Sequence, residues 1–562
     1  MKRPAGNCMV PTTTHHEPIQ DRIIRIQHDL EVLTEFYNIE ISPKRTKKLQ
    51  KFYQDEVESL KSAPFDSYDQ EAKVDYVLLQ NFLETKSRQL ESKSKEHEKL
   101  GTLLPFAPLI TELCESRQEM KPIEGPKAAS ALHALSQDLA CVLSKIDQHA
   151  LRTDKLTAFR AAKTLNQLSV HLQEWFKYFN GYDPLFSWWV RAPYEKLEKL
   201  FAVLESRIQE ELVGIAPGDE NTIVGEPIGR DALLADLSAE KIAYTPEEMI
   251  RIGEVEYDWC LREMEAASKN MGYSDWKDAL EFVKNSYVEP GKQTQLIRDL
   301  AIEAEAYVEK HDMVTIPPLA KLWRMFMIQP EEQKVSPFFL GGPYIQVSYP
   351  TADMEHEDKL MSMRGNNPHF SRSTVFHELL PGHHLQYHQT LRHRPYRKLF
   401  RTSFWTEGWA FYWELVLWDR GFASKPEDKI GMLFWHMHRC IRIVFSLKFH
   451  LGLLTPQECV DLLVEKVGHE RANAEGEVRR SFNGDYSPLY QVGYMLGALQ
   501  FYKLRKELVD TGKVPQKDFH DRILKSGNMP IEVLRALFMD KKLDREGFKP
   551  EWRFYGEIDA EK

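Results

Sequence analysis

The stretch that most constrains this 562-residue chain reads His377-Glu378-Leu379-Leu380-Pro381-Gly382-His383-His384. Pro381 lacks a backbone N–H and disfavours the helical conformation at Leu380, whereas Gly382 accepts almost any backbone geometry. The octapeptide therefore predicts a helix that bulges or breaks just before His383 and resumes after it.

The predicted break bears on whether two histidines can share a metal ion. Catalytic zinc takes three protein ligands from His and carboxylate, and usually the His pair is at i and i+4 with a Glu beside the first as general base. Here position i+4 is Pro381. A regular helix would hold His377 and His383 about 9 Å apart along its axis, which is too far for one metal ion. The two histidines can bind the same ion only if two residues between them loop out of the helix. We predict His377 and His383 as metal ligands and Glu378 as the general base. His384 is predicted to lie near the substrate or to contact one of the ligands. If three residues loop out instead of two, His384 replaces His383 as the ligand.

A third ligand is expected from the next helical segment, residues 404–417. One stripe of that segment is formed by Glu407, Ala410, Phe411 and Glu414. Two carboxylates on an inward, aromatic face are costly unless they are paired or bound to metal. We predict Glu407 as the ligand and Glu414 as a residue that orients a ligand or a neighbouring cation, with a structural salt bridge as the alternative for Glu414.

Three further residues are weaker candidates for the site. Tyr490 could donate a hydrogen bond to an oxyanion, although a buried tyrosine with a satisfied hydroxyl is the ordinary alternative. Arg480 could pair with a substrate carboxylate or with Glu414, against an internal ion pair. The alternating segment Tyr344–Tyr349 is the best strand signal, and we predict that it presents an edge to an extended peptide, with Tyr344 near the substrate, or is plain structure.

Helical periodicity dominates the rest of the chain and predicts a mainly α fold, a large metallopeptidase-like helical body around a cleft, with one small β-sheet. Residues 126–148 and 154–180 are predicted to form long helices. Thr245-Pro246-Glu247-Glu248 and Thr455-Pro456-Gln457-Glu458 each have the pattern of a capping box with proline at the first helical position.

The domain prediction has three parts. Residues 1–20 are expected to be disordered, residues 21–213 to form an N-terminal helical region, and residues 214–562 to form the catalytic helical region with the sheet and the octapeptide. The boundary is placed in the Gly- and Pro-rich loop from Gly214 to Arg230.

The composition of the chain argues against two kinds of partner, nucleic acid and membrane, and predicts a location. The chain has 74 Lys and Arg against 84 Asp and Glu, a net charge of −10, which argues against a nucleic-acid surface. No run approaches the roughly 18 apolar residues that a membrane span needs. No apolar leader follows Met1-Lys2-Arg3, and the six cysteines form no CxxC pair, so the sequence predicts a cytoplasmic protein.

The octapeptide and the segment after it resemble the family called domain of unknown function 885. The resemblance is carried by residues 377–386 and 407–414, with further matches at 227–230, 244–248, 477–480 and 490–494, and it spans roughly residues 20 to 545. It implies a gluzincin-like helical protein with zinc held by two His and one Glu. The family has no settled substrate, and its members are mostly described as peptidases or hydrolases.

These observations together predict a zinc-dependent hydrolase, a metallopeptidase that cleaves amide bonds in short peptides by means of a zinc-bound water activated by Glu378. Helices on both sides of the octapeptide favour an enclosed cleft that spares folded proteins. Two alternatives remain: a zinc amidohydrolase for a non-peptide amide, and a metal-binding relative without turnover. The intact Glu378 argues against the latter.

Overall fold

The computed structural model describes residues 17–219, 222–329, 333, 338–352, 354–484 and 486–558. Most of these residues are helical and the strands form one three-stranded sheet, which confirms the predicted mainly α class with one small sheet. The disorder predicted for residues 1–20 falls, up to residue 16, outside the described residues, and the first helix begins at Ile19. None of the described helices has the length and the apolar run that crossing a bilayer requires.

Seven helices form the first part of the chain. Four of them begin at a Ser or Asp whose side chain accepts a hydrogen bond from a backbone N–H of the first turn, which satisfies a group that the helix itself cannot pair. The long helices predicted at 126–148 and 154–180 are confirmed as α5 and α6. The bounds are α1 Ile19–Phe36, α2 Pro43–Lys61, α3 Gln70–Lys99, α4 Ala107–Gln118, α5 Gly125–Asp147, α6 Lys155–Phe179 and α7 Pro184–Arg207.

Four helices follow before the sheet: α8 Arg230–Ala239, α9 Pro246–Asn270, α10 Trp276–Lys284 and α11 Gln293–Lys310. The capping box predicted at the start of α9 is confirmed. The Glu248 N–H donates to Thr245 Oγ1 at 3.2 Å, and the Thr245 N–H donates to Glu248 Oε2 at 2.8 Å. The second capping box, at Thr455, is confirmed in the same way.

The sheet consists of β1 Met325–Met327, β2 Phe339–Leu340 and β3 Ile345–Val347. Strand β3 lies in the middle, parallel to β1 and antiparallel to β2. The strand predicted within 344–349 therefore exists, but the prediction that it offers a free edge is wrong, because both of its edges are already paired. Among the described residues, β2 and β1 are the outer strands.

Ten helices make up the rest of the described chain. The second and third of these helices carry the histidines of the octapeptide. The bounds are α12 His356–Gly365, α13 Pro368–Glu378, α14 His383–Arg392, α15 Ser403–Asp419, α16 Pro426–His450, α17 Pro456–Val467, α18 Arg471–Phe482, α19 Tyr490–Leu508, α20 Gln516–Ser526 and α21 Ile531–Phe538. Helix α16 is buried along almost its whole length and lies at the centre of this part.

Two large hydrophobic clusters make up most of the core. One is formed by helices α4 to α7 together with Ile39. The other joins α1, α2 and α3 to the helices from α8 onward. The first three helices thus pack with the part of the chain that carries the octapeptide. The division after residue 213 stays a prediction.

Candidate metal centre

The predicted helix break is present at the octapeptide. Helix α13 ends at Glu378 and α14 begins at His383, so that four residues separate them. The Gly382 N–H donates to the carbonyl of Phe376 at 3.0 Å, which turns the chain sharply. A Cβ at Gly382 would lie 1.9 Å from the carbonyl oxygen of His377, so this turn requires glycine.

A side chain from another helix also contacts the break. The Leu380–Pro381 peptide is cis. The indole Nε1 of Trp409, on α15, donates to the carbonyl oxygen of Pro381 at 3.0 Å. Helix α15 is the helix that carries Glu407, so this bond joins the two elements that supply the predicted ligands.

The structure brings the three predicted ligands together. The ligand atoms of His377, His383 and Glu407 all lie within 4.8 Å of one another. Glu407 Oε2 is 3.7 Å from His377 Nε2 and 3.1 Å from His383 Nε2. Zinc bonds of about 2.0–2.2 Å in tetrahedral directions require ligand atoms roughly 3–4 Å apart. The cluster therefore fits a zinc ion with small adjustments of these side chains.

The charges of the cluster match a cation. Burial alone would raise the pKa of Glu407, but His383 and His377 hold that pKa well below its usual range, so the carboxylate is ionised. Burial alone would lower the pKa of His377, but the nearby carboxylates of Glu407 and Glu414 raise it to about 9. The second proton of His377 thus takes the place of a divalent cation in compensating these carboxylates, and metal binding would displace that proton.

Glu414 lies behind His377, on the side away from the other two ligands. Glu414 Oε1 is 2.8 Å from His377 Nδ1, and Arg439 Nη2 donates to the same oxygen at 3.3 Å. Burial alone would raise the pKa of Glu414, but Arg439 and His377 lower it. A carboxylate at Nδ1 keeps the proton there and leaves Nε2 free to face a metal.

Glu378, the predicted base, lies beside the cluster in the wall of a cavity and is 8% exposed. The loop after β2 passes directly against it. A Cβ at Gly341 would lie 1.9 Å from Glu378 Oε2 and 3.2 Å from Cδ2 of His383. Only glycine leaves room for the carboxylate at this point.

His384 does not join the metal cluster. Its Nε2 lies 3.0 Å from the carbonyl oxygen of Ala320, and its Nδ1 lies 3.2 Å from that of Gly342. Burial lowers the pKa of His384, which favours the neutral ring with a single N–H to donate. The ring therefore supports the loop that contacts Glu378.

Tyr490, at the start of α19, lies on the cavity side of the cluster. Its hydroxyl donates to Glu407 Oε1 at 2.5 Å. Burial and the neighbouring Glu407 raise the pKa of Tyr490 well above its usual value, so the phenol keeps its proton at neutral pH. It can therefore act as a hydrogen-bond donor.

Two other candidate residues make contacts that decide between alternatives. Arg480 pairs with Glu477 at 2.8 Å, as the alternative of an internal ion pair predicts, and its possible pairing with Glu414 is wrong, because Arg439 on α16 contacts that carboxylate. Tyr344 does not contribute to the described cavity wall, and its ring packs against that of Phe326 instead, with 5.0 Å between centroids.

A cavity of about 1030 Å³ opens at the cluster. Helices α1, α2 and α3 supply the far wall, so the first part of the chain encloses the site. The residues of that wall include Gln27, Leu30, Thr34, Tyr53, Phe82 and Lys86. Near the metal ligands, the wall includes three residues that the sequence reasoning did not single out, Arg439, Arg442 and Tyr494. The signal for the arginines was present, since two charges three residues apart interrupt the mostly apolar middle of that helix.

Comparison with known proteins gives a family and a fold. A family model described as "Bacterial protein of unknown function (DUF885)" matches residues 38–537. No curated protein matches the chain. A proposed lipoprotein of unknown function from Shewanella oneidensis is similar in structure, with 17% identity, a TM-score of 0.69, and coverage of 93% of this chain and 100% of that one.

A second similar structure is a proposed lipoprotein from Colwellia psychrerythraea. It has 16% identity and a TM-score of 0.60, and the match covers 93% of this chain and 99% of that one. At these identities the likeness is one of fold alone. The cytoplasmic location of this chain stays a prediction.

Proposed function

The chain belongs to the family of bacterial proteins of unknown function called DUF885, and from that premise we propose that it is a zinc-dependent hydrolase, a gluzincin-like metallopeptidase that cleaves amide bonds in short peptides. The observation that carries the proposal is the convergence of ligand atoms from His377, His383 and Glu407 within 4.8 Å. Two imidazoles and one carboxylate are the donor set of many catalytic zinc sites. When bound, zinc acidifies water and polarises a carbonyl group.

Glu378 is the proposed general base. It lies in the cavity wall next to the ligand cluster, and Gly341 leaves space for its carboxylate. The carboxylate takes a proton from the attacking water and passes it to the leaving nitrogen, so that the amide C–N bond breaks. Glu414 supports this arrangement by fixing the His377 ring through Nδ1.

Tyr490 is the proposed donor to the oxyanion that forms when water adds to the amide carbonyl. Its raised pKa keeps the phenol protonated at neutral pH. Its hydroxyl already donates to Oε1 of Glu407, the oxygen next to the one that faces the histidines, so the phenol is placed beside the position proposed for the developing charge on the carbonyl oxygen. A fixed donor at that position lowers the energy of the transition state.

Strand β2 is the proposed platform for the substrate backbone, in place of the 344–349 segment. Both of its residues, Phe339 and Leu340, line the cavity, and the strand leads into Gly341 beside Glu378. It pairs with β3 on one side, and an extended peptide could add on the other. A cavity of about 1030 Å³ takes a short peptide but not a folded domain.

The test combines metal content with turnover. We expect about one zinc per chain by elemental analysis, and loss of most of it in Glu407→Ala. Glu378→Gln should keep zinc but lose hydrolysis by roughly 10²-fold or more, because an amide cannot take the proton. Glu58→Ala, at an exposed position on α2, is the control and should change neither quantity. Stoichiometric zinc in Glu407→Ala would remove Glu407 from the site.

The substrate class is tested with a defined mixture of di- to decapeptides beside folded globular proteins, read by mass spectrometry. We expect cleavage of the peptides and none of the folded proteins. Efficient internal cleavage of a folded protein would contradict the enclosed site. If the zinc-loaded protein cleaves no peptide, the alternative of a non-peptide amide substrate takes precedence.

A further inference from the structure

Three arginines lie in the cavity wall near the metal cluster, and the proposed hydrolytic step gives two of them, Arg442 and Arg480, no role. Arg439 and Arg442 come from α16 and Arg480 from α18. Arg442 Nε donates to Glu477 Oε1 at 2.7 Å, and Arg480 Nε lies 2.8 Å from Glu477 Oε2. Among the described residues, Glu477 is the only carboxylate that forms an ion pair with either of these two arginines.

This group of side chains carries more positive than negative charge. Arg439 contacts Glu414, which also contacts His377, so three guanidinium groups share two carboxylates. In addition, the buried Nε of Arg439 has no hydrogen-bond partner among the described residues. Buried cations without full compensation are costly, and an anion delivered into the cavity would relieve that cost.

Tyr494 links the arginines to the metal cluster. Its ring lies nearly parallel to that of His377, with 6.2 Å between centroids. On the same ring, the Cζ of Arg442 is 4.4 Å from the centroid and that of Arg439 is 5.5 Å. An extended peptide advances about 3.3–3.6 Å per residue, so at most about three residues beyond the scissile bond span the path from His377 across the Tyr494 ring to Arg442.

Resting on the proposed peptidase function, we infer that Arg439, Arg442 and Arg480 form a pocket for the free C-terminal carboxylate of the substrate, so that the enzyme cuts within about three residues of the C-terminus. A carboxylate suits guanidinium groups because they can donate paired, charge-assisted hydrogen bonds to its two oxygens. An internal segment of a peptide offers no such charge. Water adds across one amide bond, and the products are a shortened peptide acid and a released amino acid, dipeptide or tripeptide.

The inference is tested by binding, without turnover. The zinc-loaded Glu378→Gln variant is titrated calorimetrically with two N-acetylated tripeptides that differ only in a C-terminal carboxylate or carboxamide. We expect the free acid to bind at least about tenfold more tightly, as charge-assisted bonds imply. Equal affinities would overturn the inference. Because no hydrolysis is needed, this result is independent of whether the protein turns out to be a peptidase.

Arg480 is the residue to vary, since its side chain is more exposed than those of Arg439 and Arg442. In the same background, Arg480→Gln should reduce the preference for the free acid to within about threefold, whereas Arg480→Lys should keep part of it. Arg471→Gln is the matched control on the same helix, where an exposed arginine pairs with Asp461 outside the cavity. A loss of affinity that is equal for acid and amide would show a structural role and would contradict the pocket.

Turnover gives a second and separable result. With the active protein, we expect mass spectrometry to show peptides shortened from the C-terminus, tolerance of N-acetylation, and at least tenfold slower cleavage of C-terminal amides. Cleavage of internal bonds at the same rate in amidated and free peptides would overturn the inference while leaving the proposed hydrolase intact.

Discussion

Gly341 is a single residue whose missing side chain makes room for the proposed base. Any Cβ there would lie 1.9 Å from Glu378 Oε2. We therefore predict that Gly341→Ala moves the carboxylate and lowers hydrolysis by roughly 10²-fold, the scale typical of general base catalysis, while zinc content and Tm stay close to those of the wild type. Full activity in this variant would contradict the position given to Glu378.

The two adjacent histidines should differ sharply when each is replaced. His383→Ala is predicted to lose zinc, because its Nε2 faces Glu407. His384→Ala should keep zinc and lose part of the activity, because it removes the contacts to the carbonyls of Ala320 and Gly342 that support the loop beside Glu378. Elemental analysis of the two proteins distinguishes them. If only His384→Ala lost zinc, His384 and not His383 would be the second histidine ligand.

The sequence was sufficient to predict which residues converge, because the break and the histidines are neighbours along the chain and Glu407 lies on the next helix. It was not sufficient to predict the partners of buried charges. Glu414 was one of the partners that the sequence offered for Arg480, but the arginine that contacts Glu414 is Arg439. Which arginine reaches a buried carboxylate depends on how two distant helices pack, and periodicity carries no information about that.

At the scale of elements, helices α15 and α19 cross in unusually close contact at two glycines. A Cβ at Gly497 would lie 2.2 Å from the carbonyl oxygen of Phe404, and one at Gly408 would lie 2.7 Å from Cα of Gly497. These helices carry Glu407 and Tyr490, so their separation sets the distance between ligand and donor.

We predict that Gly497→Ala forces the two helices apart, destabilises the protein by about 1–3 kcal/mol, and reduces hydrolysis more than zinc binding. Tm by calorimetry and zinc content by elemental analysis check these two effects. Gly101→Ala is the control, since a Cβ at Gly101 meets nothing within 4 Å. An unchanged Tm for Gly497→Ala would contradict the close crossing.

Elements were predictable where a local signal exists. The two capping boxes and the long helices α5 and α6 lie where the sequence predicts them, because caps and periodicity are short-range features. The position of β3 was predicted as well, but not its place in the sheet. Its partners β1 and β2 are only three and two residues long, too short to show alternation, so strand order could not be read from them.

At the scale of the whole molecule, stability should depend on pH through buried histidines. Burial lowers the pKa of His469 to about 3 and that of His436, His450 and His520 to about 4. In the unfolded chain these groups bind protons near pH 6.5, so the unfolded state binds more protons below that pH. The free energy of unfolding therefore falls as the pH is lowered from 6.5 to about 4.

We predict that Tm declines as the pH is lowered from 7 to 5. The free energy of unfolding declines with it, and His450→Phe should make that decline shallower by about 1 kcal/mol per pH unit. His450 is chosen because neither ring nitrogen has a hydrogen-bond partner among the described residues. The exposed His28→Gln serves as the control and should reproduce the slope of the wild type. Equal slopes in all three proteins would show that His450 does not contribute.

Packing across the whole chain was beyond the reach of sequence reasoning. The Gly- and Pro-rich loop at residues 214–230 suggests a boundary, but α1, α2 and α3 share a core with the helices from α8 onward and supply the far wall of the cavity. Contacts between residues hundreds of positions apart leave no local pattern. One such contact is the buried ion pair of Asp75 with Arg397.

The position of β2 has a consequence for the behaviour of the protein at high concentration. An outer strand with unpaired backbone groups is a template on which other chains can polymerise, and proteins commonly shield such strands. Here the strand is two residues long, its Phe339 is buried, and both residues line an interior cavity. A neighbouring molecule would have to insert a single extended segment to reach it. The backbone groups proposed to hold a peptide are thus withheld from fibril growth.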